Sequence, residues 1–459
     1  MRVVHAAGLL GVALAACGGD DGGAATDAAV TDARVFDGGP PTGGGPYPAP
    51  GAWGPNQGPG GPKRTFTAGE LLTNCAFLDG GPADPDDHHN LVQMYDGYLL
   101  LPFAPEYGMS GGLAFFDISD PCAPQRVGVG VAAHMRETHS VGFAAHGGRW
   151  AVTNSLTWDP EYGGGIEFWD VSDPTAPVEG AVLNLPGFLY PDSYARLTLS
   201  VFWQAPYVYV AGADNGIYIV DATFPDAPVL VGTYPIQPTL RVGQLQVLGN
   251  VLIATAAEGA RAILLDVSDP AHPQPIPGGD FMARDAEGNV REAYFSTAAN
   301  GKLYFARKDA GGGVIVYDIA DPTRPTYAGS FASDGNGGYV FIKDQYAFVG
   351  EGSVARIYDL TDLGAITLHA ELHLQGDLDT ITPIGNVAVL SVDDEADADQ
   401  GSAIAPWQEL PDTAAPRVTW SFPAAGATGV PRTSRKCTMP AMRARAAFFA
   451  RSSRASMSS

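Results

Sequence analysis

Gly112–Pro124 reads GLAFFDISDPCAP, and the same phrase returns along the chain as GGIEFWDVSDPTAP (164–177), NGIYIVDATFPDAP (215–228), ARAILLDVSDPAHP (260–273) and GGVIVYDIADPTRP (312–325). A weaker copy without the prolines, SVARIYDLTDLGAI, occupies 353–366. The aspartates that end each apolar run, Asp117, Asp170, Asp221, Asp266, Asp318 and Asp359, are 53, 51, 45, 52 and 41 residues apart. A period of this length denotes stacked supersecondary units.

Each phrase sits in a longer unit. A second β-prone run precedes it, such as YLLLPFAP from Tyr98, PYVYVAG from Pro206 or KLYFAR from Lys302. Another run comes before that, such as HSVGFAA from His139 or TLSVFWQ from Thr198, and a fourth follows the prolines, as in QRVGVG and VLVGTY. NVAVLSV from Asn386 opens a seventh unit. The third runs are apolar on both faces, as in IYIVD and VIVYD. Since successive strand residues point to opposite faces, such strands lie in sheets covered on both sides. Four-stranded antiparallel sheets covered on both faces at this period are propeller blades. The expected fold is therefore all-β, a seven-bladed β-propeller of four-stranded antiparallel blades; a β-solenoid has shorter repeats.

The Asp–Pro phrase is a turn by composition. The second aspartate (Asp120, Asp173, Asp269, Asp321) accepts backbone N–H groups, the first proline presets φ, and the second stops helix formation before the fourth strand. A residue repeated in every unit is architecture, so these aspartates are not expected to be catalytic. GLAFFDISDPCAPQRVGVG and GIYIVDATFPDAPVLVGTY resemble the LVIVD-repeat family, and the resemblance spans roughly residues 90–370. It implies a propeller on a secreted or surface-displayed bacterial protein and says little about activity.

The 459 residues carry 50 acidic and 26 basic side chains, a net charge of −24, which argues against nucleic acid as a partner. Arg2, an apolar stretch too short to span a bilayer, and Leu14-Ala15-Ala16-Cys17 resemble the signal peptide and lipobox of bacterial lipoproteins. By that resemblance residues 1–17 form the signal peptide, with Cys17 as the lipidated residue. Residues 18–65 are a Gly/Pro-rich tether with too few large apolar groups to fold. The layout implies a bacterial cell-envelope protein, anchored to a membrane by lipid at the outer membrane or cell surface, with a surface protein or glycan as partner. The propeller is expected over 66–411. Residues 412–431 resemble the opening of a bacterial Ig-like domain through Pro416, Val418, Pro423, Ala424, Gly426, Ala427, Gly429, Val430 and Pro431. The pattern then stops. Residues 432–459 hold seven basic side chains and no acidic one. They read as a disordered tail following a change of reading frame near 432, or as a genuine basic tail.

Four groups are candidate sites. His89 and His139 precede the innermost strands of blades 1 and 2, with Glu137 nearby, and would meet at the channel mouth to hold a metal or an anionic ligand; a hydrogen-bonding role in the repeat is the alternative. HMRETH (134–139) lacks HExxH spacing. Asp393, Glu395, Asp397 and Asp399 alternate like a calcium loop, though no closing glutamate follows, and a solvated acidic loop needs no ion. No other cofactor is expected. Cys75 and Cys122 flank blade 1 in an exported chain, where a disulfide would tie the entry segment to the first Asp–Pro turn; free thiols are the alternative. GMSGG (108–112) has the letters of a nucleophile elbow but is followed by a strand, not a helix. The leading functional expectation is non-enzymatic binding, with an enzyme at His89 and His139 as the alternative.

Overall fold

The computed structural model describes residues 70–408, except 79–86, 89–90, 96, 106–110, 119, 134, 136–142, 147–148, 157–163, 188–199, 309–310, 375–377, 379 and 392–401. Seven antiparallel sheets follow one another in meander order. Blade 3 shows the pattern: Val201–Gln204, Tyr207–Ala211, Ile217–Asp221 and Val229–Tyr234 pair each with the next. Blades 1, 2, 4, 5 and 6 occupy 93–131, 143–184, 242–282, 293–332 and 340–373. First strands of blades 2 to 7 lie each against the next, the arrangement of strands that line a propeller's axis. Second and third strands are buried almost throughout, while fourth strands alternate exposed and half-buried residues. The core therefore lies between blades: Tyr209 and Ile219 of blade 3 pack with Val242, Leu252 and Leu265 of blade 4.

The meander divides the molecule into two faces. Turns between first and second strands and the Asp–Pro turns lie on one, the turn face. Loops between second and third strands and the connections between blades lie on the other, the loop face.

Six blades repeat a register shift between third and fourth strands, at Phe115/Phe116, Glu167/Trp169, Ile219/Val220, Ile263/Leu265, Val316/Tyr317 and Ile357/Tyr358. Such a bulge increases local twist. It carries the chain into the Asp–Pro turn, which seats on the preceding blade. A Cβ at Gly128 in the fourth strand of blade 1 would overlap the Pro174 carbonyl oxygen in the turn of blade 2, and one at Gly329 in blade 5 would overlap that of Leu363 in blade 6. The turn and the fourth-strand glycine are thus two halves of one joint between blades. In blade 6, where the prolines are missing, Leu363–Ala365 closes into a 3-10 turn capped by Asp362.

Closure of the ring departs from simple repetition. Blade 7 takes Thr380–Ile384, Val387–Ser391 and Ala403–Pro406 from the end of the propeller, and its outer strand is Ala76–Phe77 from the beginning. Just before it, Glu70–Leu71 pairs in parallel with Thr367–His373, adding a fifth strand to blade 6. A disulfide joins Cys75 to Cys122, with Cα atoms 5.1 Å apart. It links the outer strand of blade 7 to the Asp–Pro turn of blade 1, in the place where Gly128, Gly278 and Gly329 form the joint in blades 1, 4 and 5.

Candidate functional site on the loop face

The repeated aspartates form hydrogen bonds within the turn face. Ser172 N and Oγ donate to Asp170 Oδ1 at 3.0 and 2.6 Å, and Thr175 N and Oγ1 donate to Asp173 Oδ1 at 3.0 and 2.7 Å. The pairs Asp221–Thr223, Asp266–Ser268 and Asp359–Thr361 repeat the first arrangement. Asp321–Thr323 repeats the second. In blades 2, 4, 5 and 6 both aspartates of the phrase therefore cap successive turns, whereas the sequence assigned this role only to the second. These bonds hold the Asp170, Asp173 and Asp321 carboxyls below the usual aspartate range. The carboxylates serve the turn.

Near the axis, Phe295 stacks on Tyr339 with centroids 4.0 Å apart, Tyr294 lies 4.4 Å from Phe295, and Phe341 and Leu91 pack against them. Phe295 belongs to the first strand of blade 5, Phe341 to that of blade 6, and Leu91 precedes that of blade 1. Blade 7 separates blade 6 from blade 1, so Leu91 reaches this cluster across the channel.

Among the described residues of the loop face, several charged groups are tied in sets. Glu351, ending the second strand of blade 6, is fully buried: Arg356 Nη1 lies 2.6 Å from its Oε2, and Tyr358 OH donates to its Oε1 at 2.5 Å. Ser333 Oγ and Gly313 N, both from blade 5, donate at 2.5 and 3.0 Å. Arg356 also reaches Asp334 at 2.7 Å and Glu371 at 3.3 Å. A buried carboxylate survives because every lone pair is taken. Asp285, in the blade 4 to blade 5 connection, accepts from Glu287 N, Asn289 N and Arg291 Nε at 3.1, 2.9 and 2.6 Å. Burial pushes its carboxyl up, but Arg291 and Asn289 outweigh burial and hold it at about 2.

A third set joins blades 4 and 5. Arg241 precedes the first strand of blade 4, Glu258 lies in its second-to-third-strand loop, and Lys308 follows the second strand of blade 5. Arg241 Nη1 lies 2.7 Å from Glu258 Oε2, Lys308 Nζ lies 2.8 Å from Oε1, and Lys308 Nζ sits 4.0 Å from the centroid of the Tyr294 ring. Partial burial raises the Glu258 carboxyl, but Lys308 and Arg241 outweigh it and leave the carboxyl below its ordinary value. Glu258 has φ +51°, a left-handed conformation unusual for a side chain of its size.

One buried acid is poorly satisfied. Glu167, in the third strand of blade 2, receives Thr153 Oγ1 at 3.3 Å, while its Oε2 has no hydrogen-bond partner. Burial, with the charge of Glu179 adding to it, raises its carboxyl well above the ordinary value; hydrogen bonds from Thr153 and Trp169 only partly oppose this.

Cys17, His89, Glu137, His139 and Asp393, Glu395, Asp397 and Asp399 all lie outside the described residues. Among the described residues, no three His, Cys, Asp or Glu side chains are grouped to hold a metal ion. The Arg241–Glu258–Lys308 set escaped sequence reading because its members are 17 and 50 residues apart in three separate loops.

Comparison with known proteins places the repeat and the fold. Residues 200–235, essentially blade 3, match the LVIVD repeat. No curated protein matches the chain in sequence. Among solved structures, the periplasmic gluconolactonase of Pseudomonas aeruginosa is similar at 10% identity and TM-score 0.50, covering 61% of this chain and 85% of its own. The β-propeller domain of Cps50 (Swd1) from Myceliophteria thermophila aligns at 11% identity and TM-score 0.49, covering 72% and 98%. The computationally designed Ika8 protein aligns at 10% and 0.46, covering 72% and 99%. At such identities the likeness concerns fold alone. The chain is a seven-bladed β-propeller whose third blade carries an LVIVD repeat.

Proposed function

We propose that this chain is a lipid-anchored binding scaffold of the bacterial envelope, held by Cys17 and the tether of residues 18–65, and that its loop face engages a surface protein or glycan. The observation that carries the reading is that, among the described residues of that face, charged groups are tied from blade to blade, as Glu351 is to Gly313 and Ser333 and Glu258 to Arg241 and Lys308. Side chains fixed before a partner arrives lose little freedom on binding, which favours recognition.

Two experiments test this. The first immobilises the full chain and measures binding of fractionated envelope polysaccharides and proteins, together with the metal content of the purified protein. Saturable binding by a fraction supports the scaffold; no binding together with a stoichiometric transition metal would favour an enzyme at His89 and His139. The second is Cys17→Ala, which removes the whole anchor and is expected to release the protein from membranes. Continued sedimentation of this variant with membranes after a high-salt wash would refute lipid anchoring.

A further inference from the structure

We infer that Arg241 and Lys308, spaced by Glu258, form a subsite for a carboxylate of an acidic sugar, so that the partner engaged by the loop face is a uronate-bearing glycan. The inference rests on the binding reading above and specifies its ligand.

Three observations carry it. First, two cations share one carboxylate, each taking a different oxygen, at 2.7 and 2.8 Å. The set keeps one positive charge. It is also open to solvent: the Arg241, Glu258 and Lys308 side chains are 22%, 33% and 28% exposed. Lys308 Nζ has three donor hydrogens and gives Glu258 one of them. Second, the spacing of the cations is already matched to a planar, two-oxygen acceptor, because they hold one. A sugar carboxylate has the same shape and charge, and such charge-assisted bonds are short and strong.

Third, the backbone is built to keep them there. Glu258 adopts φ +51°, and backbone outliers of this kind cluster at functional sites. Its loop is pinned on both sides: Ala257 N donates to Arg241 O at 3.0 Å, and Gly259 and Ala293 exchange two bonds of 3.1 Å. Lys308 N donates to Glu292 O at 3.0 Å, and Tyr294 supports its ammonium through the 4.0 Å ring contact. Rigid supports of this type hold a binding group in place.

The test is calorimetric titration of the full chain with oligogalacturonate at low salt, with a neutral glucan and inorganic phosphate as comparison ligands. Oligogalacturonate is expected to bind, the neutral glucan not to bind, and phosphate to bind more weakly. Arg241→Ala and Lys308→Ala are each expected to weaken binding about tenfold or more, since a hydrogen bond to a charged group is at stake. Glu258→Gln preserves shape and removes the competing internal carboxylate. It is expected to tighten oligogalacturonate binding severalfold while phosphate stays the weaker ligand. Unchanged affinity in folded Arg241→Ala and Lys308→Ala, weaker binding in Glu258→Gln, or phosphate binding as tightly as the oligosaccharide would each overturn the inference. If an envelope fraction binds and these variants do not alter it, the subsite fails and the scaffold reading stands. If no fraction and no oligogalacturonate binds, both fail.

Discussion

Replacing Cys122 by Ser removes the bond that holds the outer strand of blade 7 to blade 1. That strand is only Ala76–Phe77, backed by Cys75 N and Leu78 N donating to Ile404 O and Ser402 O at 2.8 and 2.6 Å. The disulfide closes a loop with a sequence separation of 47 residues. In the chain-entropy account, releasing a loop of that length from the unfolded chain costs the folded state about 4 kcal/mol. Unfolding a propeller of roughly 340 residues releases about 0.7 kcal/mol per degree, so the expected fall in Tm is about 6 °C. Differential scanning calorimetry of the wild type, the variant, and the wild type in reductant measures it. The variant and the reduced wild type should coincide. Amide exchange should rise first at Leu72, Cys75 and Leu78, whose N–H groups secure the segment. A variant that melts with the oxidised wild type, or exchange that rises elsewhere first, would refute the idea that the disulfide secures ring closure.

Gly329→Ala places a methyl where the Leu363 carbonyl oxygen lies, and overpacking of this kind costs about 1–3 kcal/mol, measurable by chemical denaturation. An unchanged midpoint would remove the glycine from the joint. Glu167→Gln addresses pH. With its folded pKa raised, Glu167 contributes most to stability below its ordinary value of 4.5 and loses that contribution as pH rises through the folded value. Wild-type stability should fall by up to about 1.4 kcal/mol per pH unit in that window, and denaturation curves of Glu167→Gln should lack this slope. Parallel pH profiles would mean that Glu167 does not titrate as described. Arg356→Ala leaves the buried Glu351 uncompensated and should cost about 3–5 kcal/mol, while the distant exposed variant Arg324→Ala should change stability by under about 0.5 kcal/mol. Similar melts for both would contradict the assignment of Glu351 and Arg356 to a buried pair.

The blades were legible in the sequence because the same solution recurs: Ile217–Asp221 and Gly313–Asp318 each bury both faces and end in a capped turn. Repetition lets weak local signals add. Of the ring closure only the Cys75–Cys122 bond was legible; the closing strands were not. Ala76–Phe77 and Glu70–Leu71 are two residues long, too short to carry any period, and they form only against edges made by residues far along the chain. The fourth-strand glycines were visible as letters, but their purpose depends on the turn of the next blade, as Gly128 shows beside Pro174. The candidate subsite was hidden for the same reason. Arg241, Glu258 and Lys308 belong to no motif, and only the stacking of blades 4 and 5 brings them together.

The proposed role of the loop face is to bind an envelope partner. Its most direct test is the binding isotherm of the full chain for envelope polysaccharide fractions, measured beside a Glu351→Ala variant in which the support of the loop face is broken. Saturable binding by the wild type, weakened in the variant, is the predicted result. Absence of saturable binding to any polysaccharide or protein fraction of the envelope would contradict the account.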